Sequence, residues 1–223
     1  RGGVGGSINM VTKAPRAENS LAGSVSLGTD ATRRITGDIN RALSEDVAFR
    51  LNLMSHQSDV AGRDAIELKR WGLAPSITFG LKSRTRVTLS YYHLQTNDIP
   101  DSGLPYALTS SAATDPAVVG PVTNVDRHNY YGLLNRDFRK TRADLGTIRL
   151  DHDFGNGFML RNTTRYGRTS NDYIWTNPDD SRRNVPLGFV NRSPKNRYTE
   201  SVTAANLTDL SGEFTAGGVK HRI

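Results

Sequence analysis

The stretch Leu68–Thr96, LKRWGLAPSITFGLKSRTRVTLSYYHLQT, decides the fold class. Before the polar segment Lys82–Thr85, bulky apolar residues occupy odd positions and small or polar residues occupy even positions. The same phase resumes after that segment. Successive side chains of a β-strand point to opposite faces of a sheet, so this period of two predicts two strands joined by a short turn. One face would be bulky and apolar, and the other small and polar.

The length of the two arms indicates what the apolar face contacts. Each arm runs for about 10–11 residues, whereas strands of soluble sandwiches usually last about 5–6. A strand tilted near 45° needs about 9–11 residues to cross the hydrocarbon core of a bilayer. About 11 residues at ~3.3 Å rise give ~36 Å, and the tilt leaves ~25 Å of height, the apolar band of a membrane barrel. The stretch therefore predicts strands that span a membrane.

The overall composition is compatible with this prediction. Hydrophobic residues make up only 36% of the chain, and the mean hydropathy is −0.52. No run of about 18 apolar residues occurs, which excludes a transmembrane helix. A membrane barrel needs an apolar residue only at every second position, so low mean hydropathy does not argue against it.

Net charge and cysteine content limit which partners and which kinds of site the chain can have. The formal net charge of +7 favours anionic partners such as nucleic acid, a lipopolysaccharide surface or an anionic ligand. Lys and Arg are scattered through predicted strands and loops instead of forming one basic helix or patch, so we expect no nucleic-acid partner. The chain has no cysteine, which excludes disulfides and thiolate metal sites.

The connections between the predicted strands alternate between long and short. Further alternating segments lie at 21–27, 35–43, 47–53, 150–154, 158–166 and 198–210. Tight turns are predicted at 44–46, 82–85, 155–157 and 211–217, and longer connections at 28–32, 58–67, 97–139 and 171–197. Short turns on one side and long loops on the other are typical of an outer-membrane barrel. We therefore predict an all-β fold, an antiparallel up-and-down transmembrane β-barrel to which this chain contributes about nine strands.

The first segment, Arg1–Pro15, is a glycine cluster followed by a short apolar strand. It is neither a dinucleotide fingerprint, because the glycine spacing is wrong, nor a phosphate loop, because no Gly-Lys-Ser/Thr closes it. The sequence GGSINMVTK, Gly5–Lys13, resembles the closing strand of the plug domain in TonB-dependent outer-membrane receptors. The resemblance implies that residues 1–14 end a plug domain and that 15–223 form the N-terminal part of the barrel. We therefore expect the chain to be a fragment of a longer receptor, truncated at both ends.

The resemblance covers essentially the whole chain and favours the catecholate-type ferric siderophore receptors. The stretches that carry it are Asp38–Asn40, Val47–Asn52, Ala61–Asp64, Ala74–Ser76, Asp101–Pro105, His128–Gly132 and Leu160–Tyr166. It implies a larger barrel of about 22 strands around a plug, which nine strands cannot close. It also implies TonB-dependent uptake of a ferric siderophore across the outer membrane of a Gram-negative bacterium. The TonB-contacting segment and most of the plug would lie outside this chain.

The implied ligand already satisfies its iron, so we expect neither a cofactor nor a protein metal site. Recognition then needs cations and aromatic side chains that fit an anionic, aromatic-faced object. The candidate ligand-binding residues are Arg63, Tyr106, Arg127, His128, Tyr130, Tyr131 and Trp175. Among these, His128 beside two tyrosines is the strongest single candidate.

Other aromatic and basic residues have a competing interpretation as membrane contacts. Tyr and Trp near strand ends commonly form a girdle at the lipid headgroups, the interpretation favoured for Tyr91, Tyr166 and Tyr173. Arg182 and Arg183 are equally well explained as contacts to lipopolysaccharide phosphates. Outer-membrane lipid and lipopolysaccharide are therefore expected partners.

The sequence does not indicate an enzyme, since it has no Gly-x-Ser-x-Gly elbow and no His-Glu-x-x-His motif. Three alternative functions stay open. The first is a porin-like channel, and the second is a TonB-dependent transporter for haem, a vitamin or a saccharide. The third is a soluble or surface-anchored β-sheet binding module.

Overall fold

The computed structural model describes residues 5, 11–107, 120–121, 125–180, 182 and 184–223. Within these residues the chain forms one sheet of nine strands, each paired with its neighbours in sequence. All pairings are antiparallel, which confirms the up-and-down topology. The strands are β1 (Ser20–Leu27), β2 (Arg33–Ala42), β3 (Val47–Asp59), β4 (Glu67–Phe79), β5 (Thr85–Asp98), β6 (Phe138–Asp153), β7 (Phe158–Asp179), β8 (Asn191–Ala216) and β9 (Val219–Arg222).

The described connections hold little other regular structure. A short 3₁₀ turn covers Val185–Leu187, and Tyr106–Ala107 pairs with Gly120–Pro121. No helix in the described part of the chain is long and apolar enough to cross a membrane.

The predicted hairpin is confirmed as β4 and β5, with Ile77 opposite Leu89. Gly80 begins the turn at a φ of 78°, and a Cβ there would overlap the Thr85 carbonyl, so only glycine fits. The β4–β5 pairing skips Ala74 and Pro75, because proline has no N–H for a sheet hydrogen bond.

The sheet has one apolar and one polar face. On the apolar face, Leu89 lies between Ile77 of β4 and Ile148 of β6. Ile148 is 54% exposed. Apart from prolines, Ala48 and Ile66 are the only buried apolar side chains among the described residues. A soluble two-layer fold would cover the apolar face with a second layer, which these residues do not provide.

The polar face continues across the sheet in aligned rows. One such row consists of Arg50, Ser76, Ser90, Thr147 and Arg165, each opposite the next on the neighbouring strand. The two faces therefore keep their character from β3 to β7, as the alternating sequence predicts.

Two predicted connections are wrong. The predicted loop 171–197 is mostly strand, because β7 runs to Asp179 and β8 starts at Asn191. The predicted turn 211–217 is also mostly strand, because β8 continues to Ala216 and the turn lies at Gly217–Gly218. In these segments bulky residues fall on both faces, as Tyr173 and Ile174 do, so no single apolar face alternates with a polar one and a strand is harder to predict. Pairing across the sheet nevertheless holds them extended.

The last long strands exceed what a bilayer requires. Strand β7 has 22 residues and β8 has 26, whereas crossing a bilayer takes about 9–11. On the apolar face of β7, Tyr166 is the last bulky residue before the charged Arg168. The part of β7 beyond Tyr166 therefore forms a wall that projects past the apolar band, at the end of the sheet opposite the tight turns.

Candidate ligand-binding site

A row of basic and aromatic side chains crosses this projecting wall. Tyr173 of β7 lies opposite Arg139 of β6 on one side and Arg197 of β8 on the other. All three occupy the phase of the polar face, because Tyr173 and Arg165 are an even number of residues apart on one strand. Both arginines are exposed, and neither forms an ion pair within the described part of the chain. The row thus presents two guanidinium groups beside an aromatic ring, and Arg139 also lies opposite Asp98 of β5, which is paired with Arg70.

This row lines a concave cavity of about 460 Å³. The row below it is made of the polar residues Thr141, Asn171 and Thr199. The side-chain oxygen of Asn171 is buried and has no hydrogen-bond partner among the described residues. A buried acceptor of this kind is usually satisfied by water or a ligand. The cavity therefore offers positive charge, an aromatic surface and a hydrogen-bond acceptor.

Trp175 and Lys195 extend the same surface by one further row. Trp175 lies opposite Lys195, and its ring centroid is 5.5 Å from that of Tyr173. The indole nitrogen of Trp175 is buried without a partner among the described residues. We call this set the basic-aromatic wall; its members are Arg139, Tyr173, Trp175, Lys195 and Arg197.

Arg63, a predicted ligand-binding residue, instead joins two connections. Its Nε and Nη2 each donate a 2.8 Å hydrogen bond to a different oxygen of Asp101. Its Nη1 also donates to the carbonyl of Arg127. The Arg63 side chain is only 12% exposed. Its position therefore indicates a structural link between the β3–β4 and β5–β6 connections.

His128 joins the same two connections through its backbone. Its carbonyl accepts a 2.7 Å hydrogen bond from the backbone N–H of Asp64. Its ring Nδ1 lies 2.8 Å from Asp126, and the side chain is 63% exposed. Hydrogen bonds from the His128 backbone and side chain lower the pKa of Asp126. The ring is thus accessible to a ligand, while the backbone holds the connection in place.

Tyr130 and Asp137 form the buried part of the β5–β6 connection. The Tyr130 hydroxyl lies 3.4 Å from Asp137, which also accepts from the Leu133 backbone and from Arg136. Burial, followed by the charge of Asp137, raises the pKa of Tyr130 to about 12. For Asp137, hydrogen bonds outweigh the opposing effect of burial and lower the pKa. Tyr130 is therefore a neutral donor whose hydroxyl already has an acceptor.

Two hydrogen bonds attach this connection to the basic-aromatic wall at Thr176, next to Trp175. Ser102 Oγ donates to the Thr176 carbonyl at 2.6 Å. Arg136 Nη2 donates to Thr176 Oγ1 at 2.5 Å, and Thr176 is 1% exposed. The connection and the wall are consequently fixed relative to each other.

The predicted site residues separate into distinct places. Arg63, Arg127 and His128 come together through hydrogen bonds, whereas Trp175 belongs to the wall. Tyr106 is 48% exposed in its two-residue strand, and Tyr131 is partly exposed. Arg182 is exposed, and Arg183 lies outside the described residues.

The girdle interpretation has a different outcome for different tyrosines. Tyr91 and Tyr166 lie on the apolar face, on either side of Gly146. Tyr173 lies on the polar face and lines the cavity, so its assignment to the girdle is wrong. The girdle assignment depends on the prediction that 171–197 is a loop, whereas strand β7 places Tyr173 on a defined face.

Two members of the wall, Lys195 and Arg197, are absent from the predicted candidates, and Tyr173 is predicted as a girdle residue. Arg139 was placed within the long connection, although β6 already begins at Phe138. The alternation of Asn171, Tyr173 and Trp175 was the available signal, since these residues share one phase with Arg165. No cluster of His, Cys, Asp or Glu suited to a metal ion occurs among the described residues.

No protein-family model matches the chain. The chain is 45% identical over 223 residues to the probable TonB-dependent siderophore receptor PiuA of Acinetobacter baumannii, covering 100% of this chain and 30% of that protein. It is 33% identical over 228 residues to the catecholate siderophore receptor Fiu of Escherichia coli, covering 98% of this chain and 30% of that protein. The chain thus spans about 30% of the length of these relatives.

Solved structures agree with these relationships. The crystal structure of PiuA superposes with a TM-score of 0.84 and 43% identity, over 95% of this chain and 30% of that one. The closed form of Escherichia coli Fiu gives a TM-score of 0.86 and 32% identity, over 97% of this chain and 32% of that one. The chain belongs to the TonB-dependent siderophore receptors of the Gram-negative outer membrane.

Proposed function

We propose that this chain is part of a receptor that takes up a ferric siderophore of the catecholate type, by active transport that depends on TonB. The observation that carries the proposal is the row Arg139–Tyr173–Arg197, in which two exposed guanidinium groups flank an aromatic ring. A ferric catecholate complex is anionic and has flat aromatic surfaces. Arginine and tyrosine recognise those two properties through charge and stacking.

The position of the row supports the same proposal. Long loops of outer-membrane barrels lie on the extracellular side and short turns on the periplasmic side. The basic-aromatic wall is at the end opposite the tight turns, so it faces ligands that arrive from outside the cell. The named function of the relative Fiu, a catecholate siderophore receptor, favours this ligand class.

The remaining candidate residues are proposed as a second part of the site. His128, Tyr130 and Tyr131 lie in the connection that is attached to the wall at Thr176. His128 offers an exposed ring, whereas Arg63 acts through the position of the connection. Tyr106, Arg127 and Trp175 complete the predicted set.

The division of the chain is part of the proposal. Residues 1–14 would end a plug domain, and 15–223 would supply the first part of the barrel. The segments that contact TonB would then lie elsewhere in the receptor. The apolar face of the sheet would contact lipid and lipopolysaccharide. The iron is cargo carried by its chelator, so no resident cofactor is required.

Growth rescue under iron limitation tests the ligand class. A strain lacking its own siderophore receptors would express the full-length receptor and be supplied with defined catecholate, hydroxamate and carboxylate siderophores, or with haem. We expect growth with catecholates alone, and only when TonB is present. Growth with haem or another cargo alone would replace the catecholate proposal with that cargo.

Channel measurements separate this proposal from a porin. The purified full-length receptor in a planar bilayer should show no steady conductance in the absence of TonB. A permanently open channel of porin size would contradict active transport.

A further inference from the structure

The segment that leads into β1 is attached to the polar face of β2 and β3. Lys13 Nζ lies 2.7 Å from Asp38 Oδ2. Arg50 Nη1 donates a 2.9 Å hydrogen bond to the carbonyl of Ala14. These contacts join residues that are 25 and 36 positions apart in sequence. The segment thus follows the sheet surface instead of hanging free before the first strand.

Asn40 of β2 holds the same segment through its backbone. The Asn40 Oδ1 accepts a 3.0 Å hydrogen bond from the N–H of Arg16. Its Nδ2 donates to the carbonyl of Arg16 at 2.8 Å and to the carbonyl of Glu18. Asn40 is 1% exposed. One buried amide therefore satisfies three backbone groups of the segment.

The receiving surface is itself rigid. Arg50 Nε and Nη2 donate to the two oxygens of Asp38 at 2.8 and 2.7 Å. Arg50 also lies directly opposite Asn40 in the β2–β3 pairing. Two-point arginine–carboxylate bonds hold both groups in one geometry. Separating the segment from this surface would leave buried polar groups without partners, which is costly. We call the set Asp38, Asn40 and Arg50 the anchor site, and the segment Lys13–Glu18 the anchored segment.

We propose that the anchored segment stays bound to the anchor site during transport, so that the plug moves only on the N-terminal side of Lys13. This inference rests on the proposed function, because it concerns a plug that TonB displaces. It assigns Asp38, Asn40 and Arg50 a positioning role at the junction of plug and barrel. In this arrangement the junction is the fixed end of the moving domain and does not itself act as the hinge.

Hydrogen exchange at the Arg16 amide tests the anchor in the full-length receptor. We expect this amide to remain protected when a ferric catecholate and a soluble TonB fragment are both added. An Asn40→Ala variant should exchange at Arg16 about tenfold faster, from the loss of one hydrogen bond. Asn52→Ala is the matched control, since Asn52 shares the polar face of β3 and its Nδ2 has no partner among the described residues. Loss of Arg16 protection on adding ligand and TonB would overturn the proposal.

A covalent link tests the anchor during energised transport in cells. Lys13→Cys would be joined by a short bis-maleimide to Asn52→Cys, because Asn52 lies opposite Asp38 on β3 and the Asp38–Arg50 pair stays intact. Iron uptake would be compared with the same variant before linking. We expect equal uptake rates. Abolished uptake in the linked receptor, with the unlinked variant still active, would show that the junction must move and would overturn the proposal.

The two proposals fail in different ways. A receptor that binds and takes up no ferric siderophore contradicts the proposed function, whatever happens at Arg16. In that case the comparison of Asn40→Ala with Asn52→Ala still decides whether the anchor exists. Equal Arg16 exchange in both variants would overturn it.

Discussion

Arg63 and Asp101 form a two-point ion pair that joins the β3–β4 and β5–β6 connections, with both hydrogen bonds 2.8 Å long. If this pair acts by positioning the connection, removing either partner should have the same effect. We predict that Arg63→Ala and Asp101→Asn each weaken ferric-siderophore binding about tenfold, the effect of losing a charge-assisted hydrogen bond. Titration of binding by fluorescence quenching measures both. A loss in Arg63→Ala alone would indicate that Arg63 contacts the ligand directly.

The same pair predicts a dependence on pH. Burial of Asp101 opposes ionisation, but the hydrogen bonds from Arg63 and from the Gly103 backbone outweigh it, and the pKa falls below its ordinary 3.8. A carboxyl whose pKa is lowered by folding stabilises the folded state above its unfolded pKa, and loses that contribution as the pH drops through the folded pKa. The link should therefore be complete at about pH 5 and weaken below about pH 4.

Amide exchange at Asp64, whose N–H donates to His128, reports this link as a function of pH. After correction for the intrinsic exchange rate, wild-type protection should decline only below about pH 4. Asp101→Asn should show reduced protection at every pH and no acidic transition. A wild-type transition near neutral pH would assign the effect to another group.

Residue 132, in the β5–β6 connection, should not tolerate a side chain larger than that of glycine. A Cβ at residue 132 would overlap the Tyr130 phenol and come within 2.7 Å of Asp137 Oδ2. Gly132→Ala should displace Tyr130, increase proteolysis of the connection and weaken ligand binding, while the barrel keeps its thermal stability. Gly146→Ala is the control, because a Cβ there meets no atom within 4 Å. Equal protease sensitivity in both variants would contradict this packing.

A variant of His128 shows whether its ring contacts the ligand or holds the β5–β6 connection in place. Its ring is exposed, and the link to Asp64 uses only its backbone carbonyl. His128→Ala should therefore leave Asp64 amide protection unchanged. A loss of ferric-siderophore affinity in this variant would then come from the missing ring. We expect a loss of about fivefold, the effect of one exposed aromatic contact. Reduced Asp64 protection in this variant would instead show that the ring holds the connection.

Tyr173 should act through its ring. Tyr173→Ala is expected to weaken binding of an aromatic chelate about fivefold, in line with ~1 kcal/mol for stacking, whereas Tyr173→Phe should bind normally. Isothermal titration calorimetry with a ferric catecholate compares the two variants. A similar loss in both would assign the effect to the hydroxyl group.

The membrane-spanning part of the fold was predictable because lipid imposes a two-residue period. Ile77 and Leu89 are both apolar because they lie opposite each other on the same face of the sheet. Beyond Tyr166 the apolar phase of β7 carries the charged Arg168 and Asp172, so the period disappears from the sequence. The strand persists there because its backbone is paired with β6 and β8.

The candidate site was only partly predictable for the same reason. Trp175 was selected for its chemistry, but its partners Tyr173 and Lys195 depend on strand register. The sequence predicts Arg63 as a ligand-binding residue. Its partner Asp101 lies 38 residues away in sequence, so the ion pair is not visible from the sequence. Residue type identified the recognition chemistry, whereas the pairing of distant strands determined which cations remain free.

The most direct test of the account is the affinity of the full-length receptor for a ferric catecholate after Arg139→Gln and Arg197→Gln. Lys140→Gln is the matched control, because Lys140 follows Arg139 on the opposite face and lies over the Phe138 ring. We predict about a tenfold loss for each arginine variant, about a hundredfold for the pair, and no change for Lys140→Gln. Wild-type affinity in the folded double variant would contradict the account.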